Sequence, residues 1–349
     1  MGTISDLSEA YRDVEHPQFL HHIIPLDFSS VNATLPESHA WTRHHEESGS
    51  GSGSGSSIPV IDLMDGNAVR MMGEACEEWG AFQLKKHGVG SRVVEGVEVE
   101  AKRLFALPAN QKMKALRSAG GASGYGRARI SPFFPKYMWH EGFTIIGSPS
   151  HHAELIWPNR YASFCDVIEN YQKEMKVLAE KLTRMIFEYL GINEEETKWV
   201  GSNRVSEAVQ LNYYPRCPEP NRAMGLAPHT DTSLLTILHQ SQTKEGLQIF
   251  KEGVGWVRVQ PEPGALVVNA GDLLHIISNA RFPCALHRVT VNRLHHRYSV
   301  AYFYGPPVDY VVSPLAATCE AARFRGVTVR DYIGIKSKNL EEALSLIST

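Results

Sequence analysis

The sequence predicts a mainly β protein with flanking helices, built on a jelly roll (a double-stranded, cupin-like β-helix) with an N-terminal α/β support module. Three observations predict it. Between 207 and 304, short β-rich runs alternate with turn signals such as Pro261-Glu-Pro-Gly264 and Gly271-Asp272. That spacing suits two facing antiparallel sheets. Before them, residues 160–190 place Phe164, Ile168, Tyr171, Met175, Leu178, Leu182, Ile186 and Leu190 at three- and four-residue steps, the mark of one scaffold helix. Earlier still, 58–63 and 80–84 read as strands around a helical stretch at 67–79.

In order, residues 1–47 are polar with short apolar groups and are expected to drape over a core built elsewhere. Residues 48–57 alternate Ser and Gly, so 1–57 reads as an extension ending in a flexible linker. The segment 58–150 is expected to form the support module, with a second helix over 91–106 and His87 as a turn residue. Within it, 117–150 is rich in Gly, Pro and aromatics without a clear period, which suits either a functional loop or a cover for the core. The helix of 160–191 stops at Gly191, a natural helix end, and Met175 and Met185 belong to its core face. The runs 208–214, 234–238, 247–250, 256–259, 265–269, 273–277, 286–291 and 299–304 are expected as the strands of a jelly-roll domain over 207–306. Helical spacing over 328–347 closes a C-terminal segment, 307–349.

Composition narrows the function. The 349 residues are 43% hydrophobic and 21% charged, ordinary values for a globular protein. A net charge of −3 offers no field to attract nucleic acid or an anionic membrane. Cys76, Cys165, Cys217, Cys284 and Cys319 are scattered and form no C-x-x-C pair, so reduced thiols in the cytoplasm are expected. No apolar run reaches the roughly 18 residues of a membrane span. The N-terminus lacks a basic start before an apolar stretch, which speaks against a secretory signal. Asp6 speaks against myristoylation at Gly2.

The chemistry centres on His229 and Asp231. In an extended strand, residues i and i+2 share a face, so an imidazole and a carboxylate converge on one cation. The best third ligand is His287, far enough along for a later strand to return beside the first. Two imidazoles and one carboxylate leave open positions, as a non-haem Fe(II) binding a co-substrate and O2 requires. Zinc with this ligand set would need a placed general base for hydrolysis, and no H-E-x-x-H helix is present. Arg297 and Ser299 also share a strand face and can clamp a carboxylate. Asn212 and Tyr214 offer an amide and a phenol on one face. Together these groups suit a small dicarboxylate reaching from the metal to Arg297.

His229-x-Asp231, His287, Arg297-x-Ser299 and Asn212-Tyr-Tyr-Pro-Arg-Cys217 resemble the signature of plant 2-oxoglutarate- and Fe(II)-dependent dioxygenases. The resemblance spans about 58–347 and includes Ile58-Pro-Val-Ile-Asp62 and Trp79-Gly-Ala-Phe82. Met138-Trp-His-Glu-Gly-Phe-Thr144 and the run from Cys217 to Asp231 are most similar to gibberellin 3-beta-dioxygenases. The resemblance implies Fe(II) on His229, Asp231 and His287, and 2-oxoglutarate held by Arg297 and Ser299, with Asn212 and Tyr214 steadying its metal-proximal end. O2 is then the second co-substrate and ascorbate a supporting reductant. It implies 3-beta-hydroxylation of a gibberellin precursor, a step of plant hormone biosynthesis that releases succinate and CO2, by a cytoplasmic monomer. A diterpenoid acid needs apolar walls, expected from Phe133, Phe134, Tyr137, Met138, Trp139, Phe143 and Phe303. It also needs a cation, expected from Arg127, Arg129 or Lys136. Three other readings stay open: a related dioxygenase acting on another gibberellin carbon, a flavonoid or an alkaloid; a metal-bearing cupin that binds a hormone or sugar without turnover; and a zinc hydrolase.

Overall fold

A computed structural model describes residues 6–13, 18–31, 34–42, 57–241, 246–315 and 321–349. The Gly/Ser run, save Ser57, and Cys319 lie outside them. Among the described residues, twelve strands make the two main sheets. They are β1 (Val60–Asp62), β2 (Ala81–Lys85), β3 (Gly124–Gly126), β4 (Glu141–Ile145), β5 (Ser206–Tyr214), β6 (Leu226–His229), β7 (Leu235–Gln240), β8 (Leu247–Lys251), β9 (Gly255–Arg258), β10 (Leu266–Ala270), β11 (His287–Val289) and β12 (Arg297–Gly305). The larger sheet runs β1-β2-β10-β7-β12-β5-β4-β3 and the smaller β6-β11-β8-β9. Leu238, Val267 and Ala301 of the first pack with Leu247, Ile249 and Val289 of the second in one buried cluster, so the two sheets face each other as a jelly roll requires.

Among the described residues, eight α-helices surround them: α1 (Asp6–Ala10), α2 (Ala68–Trp79), α3 (Ser91–Phe105), α4 (Ala109–Lys112), α5 (Ser150–Ile156), α6 (Ala162–Leu190), α7 (Asp272–Ile277) and α8 (Val329–Asn339). The stripe of α6 is buried from Phe164 to Leu190 and packs against α2, α3, β7 and β12. Gly191 ends it in the left-handed region at φ 68°, a conformation glycine adopts without steric cost. β12 shows why the central sheet reads as an almost unbroken apolar run. Val300, Tyr302 and Tyr304 face the helices, while Arg297, Ser299, Ala301 and Phe303 face the space between the sheets.

Two expectations change. Residues 273–277 are not a strand but the helix α7. A short, wholly apolar run does not distinguish strand from buried helix by period. Residues 117–150 are more than a loop, because β3 and β4 extend the large sheet through β5. The N-terminal α/β segment supports the core directly, since β2 pairs antiparallel with β10 of the jelly roll.

Candidate active site

β6 ends at His229 and β11 begins at His287, and these two residues are direct partners in the antiparallel register. Their rings lie 4.2 Å apart between centroids. Asp231 follows two residues after His229. Its Oδ1 lies 3.7 Å from His229 Nε2 and 4.0 Å from His287 Nε2, and one ligand atom from each of the three falls within 4.8 Å of the others.

The hydrogen bonds decide the tautomers. His229 Nδ1 is 2.8 Å from the Ala227 carbonyl and His287 Nδ1 is 2.8 Å from the Ala285 carbonyl. A carbonyl only accepts, so both Nδ1 atoms carry the proton and both Nε2 lone pairs face Asp231. Burial, with the His287 ring alongside, pushes His229 down to about 4, which keeps it neutral near pH 7. Asp231 Oδ2 is buried with no hydrogen-bond partner among the described residues. Two imidazole lone pairs and an unpaired carboxylate oxygen, all turned inward, fit a divalent cation.

The backbone under this cluster is tightly packed. A Cβ at Gly271 would sit 2.0 Å from the Ser233 carbonyl oxygen, so only glycine lets α7 start against the turn after Asp231. There the Asp272 amide donates to the Asp231 carbonyl at 2.8 Å. Lys336 of α8 completes the support, donating to Thr230 Oγ1 at 2.6 Å and to Asp272 Oδ2 at 2.5 Å. Tyr332 also donates to Asp272 Oδ2, at 2.8 Å.

Arg297 lies deeper, 2% exposed. It donates to Gln240 Oε1 at 3.0 Å and to Ser299 Oγ at 3.4 Å, and its Nε has no partner among the described residues. It makes no ion pair among the described residues. A buried guanidinium with only neutral partners calls for an anion. The pairing of β12 with β5 sets Arg297 opposite Tyr214 and Ser299 opposite Asn212. The guanidinium stands 5.1 Å from the Tyr214 ring, and the phenol meets Ser299 and Arg297. Tyr214 therefore belongs to the Arg297 end, not to the metal end where it was expected. Asn212 Oδ1 accepts from His140 Nε2 at 2.9 Å, with burial holding His140 neutral, down to about 4.

One cavity of about 970 Å³ joins His229, Asp231, His287, Asn212, Tyr214, Arg297 and Ser299. Phe133, Arg127, Arg129 and Phe303 line it as expected. Five other expected wall residues, and the expected cation Lys136, do not. Phe143 lies in the core beside the helices. Trp139 packs edge-on to Phe28 and donates to the Pro215 carbonyl at 3.1 Å. Met138 packs with Met224 and accepts from the Ala227 amide through its sulfur. Tyr137 lies under the Arg127 guanidinium at 3.9 Å. Phe134 packs on Trp41, and Lys136 pairs with Glu37 at 3.2 Å. Residues not foreseen line the cavity instead: Leu7, Tyr11 and His22 from the N-terminal segment, Thr232 beside Asp231, and Ile333 and Lys336 from α8. Only chain reversal over long separations brings them there, and no local spacing signals it.

Comparison with known proteins agrees with this geometry. Residues 205–306 match the 2OG-Fe(II) oxygenase superfamily, and residues 58–163 match the family described as non-haem dioxygenase in morphine synthesis N-terminal. The chain is 47% identical to gibberellin 3-beta-dioxygenase 1 of Pisum sativum, covering 98% of this chain and 93% of that one. It is 44% identical to gibberellin 3-beta-dioxygenase 2 of Arabidopsis thaliana, covering 98% and 99%. Among solved structures, JOX2 in complex with 2OG, Fe and JA superposes with a TM-score of 0.79 at 28% identity, covering 92% of this chain and 96% of that one. The dioxygenase for auxin oxidation in rice shares the fold, with a TM-score of 0.69 at 23% identity and coverages of 84% and 100%. Similarity along nearly the whole chain, with the inward-facing His-Asp-His cluster, makes this protein an Fe(II)- and 2-oxoglutarate-dependent dioxygenase that belongs to the gibberellin 3-beta-dioxygenase family.

Proposed function

We propose that the protein hydroxylates a gibberellin precursor at its 3-beta position, consuming 2-oxoglutarate and O2 and releasing succinate and CO2. The observation that carries the chemistry is the unpaired Asp231 carboxylate between two imidazole lone pairs, with uncompensated Arg297 in the same cavity. The family supplies the substrate class. Bound iron and 2-oxoglutarate supply the oxidising power to break an unactivated C–H bond.

The chain's own groups do the rest. His229 and His287 offer Nε2, and Asp231 offers charge. Arg297, Ser299 and Tyr214 hold the far carboxylate of 2-oxoglutarate by charge-assisted hydrogen bonds. His140 occupies the Asn212 oxygen, which leaves the Asn212 amide free to donate toward the metal-proximal end. Phe303, Phe133, Ile130 and Leu226 give the cavity apolar surface that excludes water and orients the substrate. Arg127 and Arg129 donate to backbone carbonyls and make no ion pair among the described residues. Their charge leaves that wall positive for the carboxylate of a diterpenoid acid. No helix among the described residues is long and apolar enough to cross a membrane. The enzyme works as a cytoplasmic monomer without a nucleic-acid partner, with ascorbate keeping its iron reduced.

The test is aerobic incubation with Fe(II), 2-oxoglutarate and ascorbate over a panel of gibberellins lacking a 3-hydroxyl, with mass spectrometry of the products. A 3-beta-hydroxylated product that requires 2-oxoglutarate supports the reading. Succinate without an oxidised gibberellin, or hydroxylation only at another carbon, overturns the substrate or its regiochemistry.

A further inference from the structure

The N-terminal segment precedes both matched family regions, the first of which begins at residue 58 and the second at 205, yet it reaches the reacting centre. Leu7, Tyr11, Asp13, Gln18, Phe19 and His22 line the same cavity as His229 and Asp231. α1 packs against α8 and β5. The half-buried Tyr11 hydroxyl lies near the side chain of Thr232, the residue after Asp231, and both residues line the cavity.

Three arginines of 117–129 fasten the segment there. Arg117 donates to Gln18 Oε1 at 3.0 Å, Arg127 to the Ile24 carbonyl at 2.7 Å and Arg129 to the Tyr11 carbonyl at 3.1 Å. The Arg129 guanidinium also lies 5.1 Å from the Tyr11 ring. Backbone bonds add to this: Asp13 N to the Gly120 carbonyl at 3.1 Å, Gln18 N to Ala119 at 3.0 Å and Arg127 N to Ile23 at 2.8 Å. Each arginine satisfies a neutral acceptor of the segment, so the segment is built into the cavity wall.

We propose that Tyr11 is a specificity-determining residue: held between Arg129 and Thr232, its ring is the wall against which the hydroxylated ring system of the substrate rests. An aromatic face gives a flat, rigid apolar surface at low entropic cost, which suits a fused-ring hydrocarbon skeleton. The inference rests on this cavity being the substrate site. It assigns to the N-terminal segment a role in substrate choice that the iron and 2-oxoglutarate groups do not have.

The test compares native protein with Tyr11→Ala and Tyr11→Phe. The substrate is whichever compound the native protein hydroxylates from a panel of gibberellins, other diterpenoid acids and flavonoids. The gibberellin reading thus fails on the native protein's choice, and the Tyr11 inference fails on the variants. Anaerobic titration of the visible Fe(II)–2-oxoglutarate absorption and a thermal melt check the fold and the co-substrate site. Tyr11→Ala is expected to raise KM for the hydroxylated substrate about tenfold or more, and to spread hydroxylation to other carbons. Its 2-oxoglutarate affinity should stay within about twofold by the same estimate. Tyr11→Phe keeps the ring and should stay close to native in KM. Tyr11→Ala with native KM and product pattern overturns the inference. So does a parallel loss of 2-oxoglutarate affinity, which marks a purely structural role.

Discussion

The Asp231 carboxylate is 8% exposed, with one oxygen unpaired. Such a placement costs several kcal/mol unless a cation offsets it. Metal binding should therefore appear as stability. Fe(II), or Mn(II) as a redox-inert probe, should raise the unfolding free energy of metal-free protein by about 3 kcal/mol at a hundredfold excess over Kd. Asp231→Ala should lose that rise and its succinate formation. Arg297 gives a second expectation. Arg297→Leu should raise KM for 2-oxoglutarate about 30-fold or more, the lower end of losing a buried charge-assisted contact, and leave KM for the hydroxylated substrate near native. At this scale the sequence is informative where chemistry follows strand period: His229 with Asp231, and Arg297 with Ser299, each stand two residues apart. It is silent on register. The antiparallel pairing that sets Tyr214 opposite Arg297 joins positions far apart in the chain. That explains why the sequence sets Tyr214 at the metal-proximal end while the structure places it beside Arg297.

Elements show the same division. The 29 residues of α6 declare themselves by apolar spacing. α7 is short and buried at five of its six positions, so its period carries no signal. α8 reads as a helix, but its task does not. Lys336 and Asp272 form a buried pair, with side chains 9% and 0% exposed, that ties α8 to the turn between His229 and Asp231. Breaking one partner of a buried pair strands the other charge. Lys336→Met should lower the unfolding free energy by about 3–5 kcal/mol in urea titrations, whereas an exposed lysine such as Lys338 should change it by under about 0.5 kcal/mol when replaced by Met. Equal small effects would remove the pair from the support of the metal turn. The aromatics of 133–143 teach a related point. Trp139 and Phe143 have the size and apolarity of pocket residues, but β4 and its flank turn them into the core.

Across the whole molecule, buried histidines link stability to acidity. His39 and His140 are 1% and 2% exposed, and burial pushes each from its ordinary 6.5 down to about 4. Between those values the unfolded chain binds protons that the folded chain refuses. Their stabilising contribution is complete above pH 6.5 and falls as pH drops toward 4. Unfolding free energy should fall by on the order of 1–2 kcal/mol per histidine between pH 7 and pH 5, as denaturant titrations at the two pH values would show. His140→Gln should flatten its share. A pH-independent unfolding free energy would contradict the neutral buried state. The jelly roll itself is legible because its turns are written in Gly and Pro. The enclosure of the cavity is not, because it depends on α1 returning to the far end of the chain at α8, a contact that no window of sequence contains.

The central claim is that one site couples 2-oxoglutarate turnover to 3-beta-hydroxylation. Its most direct test counts succinate and 3-beta-hydroxylated gibberellin in the same reaction, for native protein and for Asp231→Ala. The account predicts near-equal amounts of the two products from the native protein and neither from the variant. Substantial 3-beta-hydroxylated product from Asp231→Ala, or native product formed without matching succinate, would contradict it.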